Sequence, residues 1–162
     1  MRLRIAFLSF LLAGLALPAS AQVQQVKIGV NGLVCAVCSF SVEKALGKRD
    51  DVASAKVDLK DKAVVVAPKP NFAFSPESFR QTIKKAGFQA REFELVVRGR
   101  IERNGETYAL VLDDAGTRFL LRPSSTASLG PAEGKLVQLR AKVVSEKPAI
   151  ELEVLDVSPA GE

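Results

Sequence analysis

Apolar residues recur along this chain at two spacings, every second residue and every third or fourth, and their succession predicts the elements. Val23, Val26, Ile28 and Val30 mark a strand over residues 23–30 that Asn31-Gly32 breaks. Val42, Ala45 and Leu46 then fall at helical spacing, with Gly47, Lys48 and Arg49 as a C-terminal stop, and the helix is expected to begin near Cys38. Two β-rich runs, residues 52–59 and 63–67, are joined by the charged Lys60-Asp61-Lys62 as an antiparallel hairpin that Pro68 and Pro70 close. Ser75 as N-cap, Pro76 at the first helical position and Glu77 in the first turn open a second helix. Phe79, Ile83 and Ala86 lie on one face of it, Gly87 ends it, and residues 88–97 return as a strand. Strand, helix, strand, strand, helix, strand is the ferredoxin-like split βαβ order, with two helices on one face of a four-stranded sheet. Core candidates are Phe40, Val42, Leu46, Val57, Val64, Val66, Phe79, Ile83 and Phe88; of Phe40 and Val42, Val42 is the stronger.

Beyond residue 97 the helical period disappears. Residues 98–103, 107–112, 117–121, 135–144 and 149–157 alternate as strands. Asn104-Gly105 reads as a two-residue hairpin turn and Asp113-Asp114-Ala115-Gly116 as a second turn, with room for one helical turn within residues 123–134. Five strands broken after the third resemble an OB-like barrel in layout, and an open meander that extends the first sheet is the alternative. The fold class is therefore α+β: a ferredoxin-like βαββαβ domain over residues 22–97 and a small all-β, OB-like domain over 98–162. Val96-Val97-Arg98-Gly99 offers no flexible linker, so the two are expected to pack closely.

The first 21 residues add an address. Arg2 and Arg4, an apolar run over residues 5–17, and Ala19-Ser20-Ala21 have the three regions of a secretory signal peptide, cleaved after Ala21. The run is shorter than the roughly 20 residues a membrane span needs, so an exported, periplasmic or secreted protein without stable membrane insertion is expected. Cleavage takes two arginines from a formal charge of +5 and leaves about +3, too mild a bias for a nucleic-acid footprint. Tyr108 and Phe119 are the only aromatic residues after residue 98, too few for a base-stacking groove. No nucleic-acid partner is expected.

The ligand inventory is narrow. There is no His, the only Met is Met1, and the only cysteines are Cys35 and Cys38. Imidazole and thioether sites are excluded within one chain after cleavage, as are His-based acid–base and nucleophile pairs, and no enzymatic activity is expected. A Cys-x-x-Cys pair between a strand and a helix can turn both sulfurs toward one point, and a helix N-terminus favours thiolate over thiol. Thiolates are soft ligands; zinc generally takes four ligands, and this chain supplies two sulfurs. Cys35 is expected to be the more exposed ligand and Cys38 the more helix-stabilised one.

The string Asn31-Gly32-Leu33-Val34-Cys35-Ala36-Val37-Cys38 resembles the heavy-metal-associated family of copper chaperones, copper-ATPase modules and the periplasmic mercuric-ion-binding protein, over about residues 23–97. Leu33 stands where that family usually has Met, and a Leu fills similar volume. Ala86-Gly87-Phe88 matches the family's Gly-aromatic turn near the metal loop. The resemblance implies one soft metal ion held by Cys35 and Cys38, Cu(I) first and Hg(II) second. It also implies a donor or acceptor partner with thiolates of its own. The competing reading is a redox-active or structural disulfide, or an interaction module without metal, because an exported location is oxidising. Lys48-Arg49 and Lys84-Lys85 are most simply solvated helix ends, with docking to an acidic partner as the sharper reading.

Overall fold

The computed structural model describes residues 22–112, 117–122 and 129–160. The leader over residues 1–21 and the turn over 113–116 lie outside these, as does part of the connection before the fourth C-terminal strand. Among the described residues no helix is long and apolar enough to cross a membrane.

The first half has the expected order: β1 (Val23–Asn31), α1 (Ala36–Gly47), β2 (Val52–Asp58), β3 (Ala63–Pro68), α2 (Pro76–Lys85) and β4 (Gln89–Asn104). Its strands lie in the order β2-β3-β1-β4, all antiparallel. Val26, Ile28 and Val30 of β1 and Val64 and Val66 of β3 are fully buried, as alternation requires of a sheet with one face under helices. Val42 and Leu46 of α1 and Phe79 and Ile83 of α2 close on that face. Phe40 does not. It is 62% exposed, because a residue two before Val42 points about 200° away from it on a helix. Val57 and Phe88 are half-buried at the margin of the core.

α1 starts two residues earlier than the apolar period suggests, since its first turn carries outward Val37 and therefore no inward signal. α2 begins as read: the Ser75 Oγ accepts from the Ser78 N–H at 3.3 Å, and Pro76 sits in the first turn. At its far end Gly87 takes φ +90°, the left-handed conformation that lets the chain turn into β4.

The second half brings β5 (Thr107–Val111), β6 (Arg118–Leu121), β7 (Leu136–Ser145) and β8 (Glu151–Pro159), with one 3-10 turn at Gly130–Ala132. β4 pairs with β5, β5 with β6, β6 in parallel with β8, β8 with β7, and β7 back with β4, so the pairings close into a ring. The expected strands 88–97 and 98–103 are a single 16-residue strand shared by both halves. Gly99 makes the crossing possible: a Cβ there would lie 2.8 Å from the Val111 carbonyl oxygen and 2.9 Å from Leu110 Cγ. The hairpin turn is shifted by one from expectation. Asn104 pairs with Thr107, so its two loop residues are Gly105 and Glu106, with Gly105 at φ +63°.

The two halves share one core. Phe72 and Phe74, from the stretch before α2, meet Phe79 of α2 and Phe93 of β4, and Phe74 also reaches Phe119 of β6 at 6.4 Å between ring centroids. Arg80 of α2 lies over the Phe93 ring at 5.0 Å and forms a two-pronged ion pair with Glu146, beyond the end of β7.

Candidate metal centre

The site is built where β1 hands over to α1. Gly32 at φ +87° turns the chain back, a conformation that costs a residue with a side chain about 1–2 kcal/mol. Leu33 drives inward to 1% exposure and pins the loop to the core. Val34 points out, and Cys35 follows with extended backbone at φ −149°, ψ 159° as the N-cap of α1. Its carbonyl accepts the Ser39 N–H at 3.1 Å, and its sulfur accepts the Cys38 N–H at 3.2 Å. The sulfur thus does what a serine or aspartate oxygen usually does at a helix start.

Cys35 and Cys38 have Cα atoms 5.2 Å apart, and their sulfurs are joined as a disulfide. Cys35 is exposed; Cys38 is half-buried against the core. Cys35 is the more exposed of the two, as expected, and the helix-start hydrogen bond is accepted by the sulfur of Cys35, where Cys38 had been expected to be the one the helix start favours. The reason is position: Cys38 supplies the first-turn N–H, and Cys35 is the cap that receives it. Phe88 stands beside the loop, with a ring carbon 3.4 Å from where a Gly32 Cβ would lie, which places the Ala86-Gly87-Phe88 turn where it shields one side.

The same backbone that lets two sulfurs meet lets two thiolates, once reduced, turn toward a single ion. Among the described residues no group of three or more Cys, Asp, Glu or His side chains converges. The donor set is therefore two sulfurs, which fits a soft ion of low coordination number and not a closed four-ligand zinc site. No acidic residue lies in the first turn of α1.

Val34, Val37 and Phe40 stay 78%, 75% and 62% exposed at successive intervals of three residues, an apolar margin along the start of α1. Between α2 and the residue after β7, the Arg80 guanidinium hydrogen-bonds the Glu146 carboxylate, holding that carboxyl below its ordinary range and raising the pKa of Arg80. Lys27 and Asp61 shift in the same two senses through their own hydrogen bond at 2.6 Å.

Fold and site together define a ferredoxin-like module with a Cys-x-x-Cys pair at the start of its first helix. Residues 27–89 match the family model described as "Heavy-metal-associated domain", and this part of the chain is a member of that family. The Copper-transporting ATPase RAN1 of Arabidopsis thaliana is 37% identical over 67 residues, which cover 41% of this chain and 7% of that protein. The Copper-transporting ATPase HMA5 of Oryza sativa subsp. japonica is 39% identical over 62 residues, covering 38% and 6%. The chain thus spans under a tenth of either relative. Among solved structures, a copper binding domain from HMA7, a P-type ATPase, is 37% identical and covers 42% of this chain and 90% of that domain, with a TM-score of 0.38.

Proposed function

We propose that the chain is an exported, non-enzymatic carrier or sequestering protein for one soft metal ion, Cu(I) before Hg(II), held between the thiolates of Cys35 and Cys38. One observation carries this reading: an exposed sulfur and a half-buried one are brought together at a helix start, and no third donor converges on them among the described residues. Near-linear bis-thiolate coordination suits Cu(I) and Hg(II), and an open shell lets a partner's thiolate enter and take the ion. Capture releases the protons of both thiols, so binding strengthens as pH rises. Membership of residues 27–89 in a heavy-metal-associated family supports the metal, and the leader-like start of the sequence supports export. The closed five-strand ring from β4 to β8, with its parallel β6–β8 pair, supports an OB-like reading of the second half.

The test is Cu(I) stoichiometry of the reduced chain, loaded without oxygen in competition with a chromophoric chelator, beside the Cys35→Ser/Cys38→Ser double variant. One tightly held ion per chain, lost in the variant, is the expected result. Failure of the fully reduced chain to compete refutes the carrier reading. The Cys35–Cys38 disulfide favours a second reading in that event, a redox or structural pair, which predicts a disulfide that persists in the protein as isolated.

A further inference from the structure

α1 and α2 lie side by side, and Arg49, just past the end of α1, fixes one to the other. Its Nη1 donates to Ser78 Oγ at 2.7 Å and to Thr82 Oγ1 at 3.1 Å, Nε and Nη2 hold Asp51, and the guanidinium lies over the Phe79 ring at 4.5 Å. Along the seam a groove of about 560 Å³ opens to solvent. Ser41, Ala45, Thr82 and Ala86 are its half-buried floor, and their short side chains leave the room between the helices. Lys44, Lys48 and Lys85, all exposed, are its rim. The volume falls within the range of about 300–1,000 Å³ usual for small-ligand clefts.

No acidic side chain lines this groove. The acids of the two helices are engaged elsewhere: Glu43 accepts the Val57 N–H at 2.7 Å, and Glu77 accepts from Gln81 at 3.1 Å. The Ser41 and Thr82 hydroxyls donate to the Val37 and Ser78 carbonyls of their own helices, so the lysines are the donors left for a ligand. A helix dipole accounts for cations near these ends. It does not require Lys44 and Lys48 to stand four apart, where like charges repel and weaken a helix, or Lys85 to face them across the seam. We propose that the groove binds a small, multiply charged anion with adjacent phosphoryl groups, a condensed phosphate. Lys44 and Lys48, with Cβ atoms about 5–6 Å apart, meet neighbouring phosphoryl groups, and Lys85 closes on them from α2. Lysine serves phosphate as a point charge. Arg49, already spent on Asp51, Ser78 and Thr82, sets the width of the groove. The site uses neither Cys35 nor Cys38 and goes beyond the carrier reading.

Tripolyphosphate titrated into the full, metal-free chain with its disulfide intact tests this, at about 0.1 M ionic strength, read by calorimetry and by amide shifts in NMR. One site per chain is expected, with the shifts gathered at residues 41–49 and 82–86. Pyrophosphate is expected to bind more weakly than tripolyphosphate, and inorganic phosphate more weakly again.

Lys44→Gln, Lys48→Gln and Lys85→Gln are each expected to weaken tripolyphosphate binding about two- to fivefold, the scale of exposed charge pairs, with ellipticity at 222 nm unchanged. Lys135→Gln removes the same charge just before β7, outside the groove, and is expected to leave the affinity as it was. Amide shifts spread over the whole molecule overturn the proposal, as does a loss in Lys135→Gln equal to that in Lys48→Gln. A hexaglutamate peptide that binds as tightly as tripolyphosphate overturns it too, because the groove would then read charge and not phosphoryl groups. Metal plays no part in these titrations, so their outcome stands apart from the Cu(I) stoichiometry that tests the carrier reading.

Discussion

If the two halves share one core, a cavity cut on one side must be felt on the other, and Phe74 is the residue with which to cut it. It is 8% exposed, and its ring lies 6.4, 6.3, 5.9 and 6.4 Å from those of Phe72, Phe79, Phe93 and Phe119. Phe→Ala in a core costs about 3–5 kcal/mol. Phe74 comes from a connecting stretch that can partly collapse into the space, so the expected loss is at the lower end, about 3 kcal/mol. With a urea slope near 2 kcal/mol/M, the midpoint falls by about 1.5 M. Composition supplies two independent probes. Tyr108 is the only Tyr and there is no Trp, so tyrosine fluorescence reports β5 alone. The described α-helices, α1 and α2, both lie in the first half, so ellipticity at 222 nm reports that half. Coincident transitions in the unaltered chain and equal shifts of both probes in Phe74→Ala are expected. A fluorescence midpoint that stays in place while the helix midpoint falls would refute the shared core.

Other substitutions probe separate contacts. Ser75→Ala removes the oxygen that accepts the Ser78 N–H and is expected to cost about 1 kcal/mol, read as a lower thermal midpoint. Gly99→Ala sets a Cβ against the Val111 carbonyl and Leu110, and is expected to cost about 1–3 kcal/mol in urea unfolding where an unstrained Gly→Ala change would stabilise. Glu146 is held below its ordinary value of 4.5, chiefly by the Arg80 hydrogen bond, so its contribution is present above the unfolded value and lost as pH falls through the folded one. Glu146→Gln is therefore expected to lower stability at pH 7 by about 1 kcal/mol or less, both side chains being about a third exposed, and to flatten the loss of stability below pH 4.5. An acid limb as steep in the variant as in the unaltered chain would count against this account.

What was legible in the sequence is what a local period or a local cap encodes. Val42, Leu46, Phe79 and Ile83 declared the inward helix faces, and Ser75-Pro76 declared the start of α2 before any tertiary contact was known. The cysteines declared themselves by spacing and by the absence of other soft donors. Phe72 and Phe74 were silent, because they sit in a non-periodic stretch and are buried by tertiary contacts, Phe72 against Phe79 and Phe74 against Phe119, about 45 residues on. The capping role of Cys35 was silent for another reason: capping is read from Ser, Thr, Asp and Asn, and an apolar Val37 in the first turn disguised the helix start. Nor does any local rule carry the parallel pairing of β6 with β8, two strands separated by all of β7.

The shared strand determines what becomes of the outer edge of the first sheet. In the order β2-β3-β1-β4, β4 would be an open edge with unpaired backbone groups, the kind of edge that invites pairing with another chain. β7 covers it from Glu94 to Arg100, and β5 from Arg100 to Asn104. The recorded pairs with β7 stop there, so Gln89 to Phe93, the stretch level with the cysteine loop, pairs with β1 alone. The ion pair of Glu146 with Arg80 bridges over this gap to α2, and Arg80 also lines a cavity with Phe88. Edge protection by β7 thus ends at Glu94. Pairing along the lower two-thirds of β4 covers that edge and ties the two halves into one sheet, while the upper third is paired on its β1 side alone among the described residues.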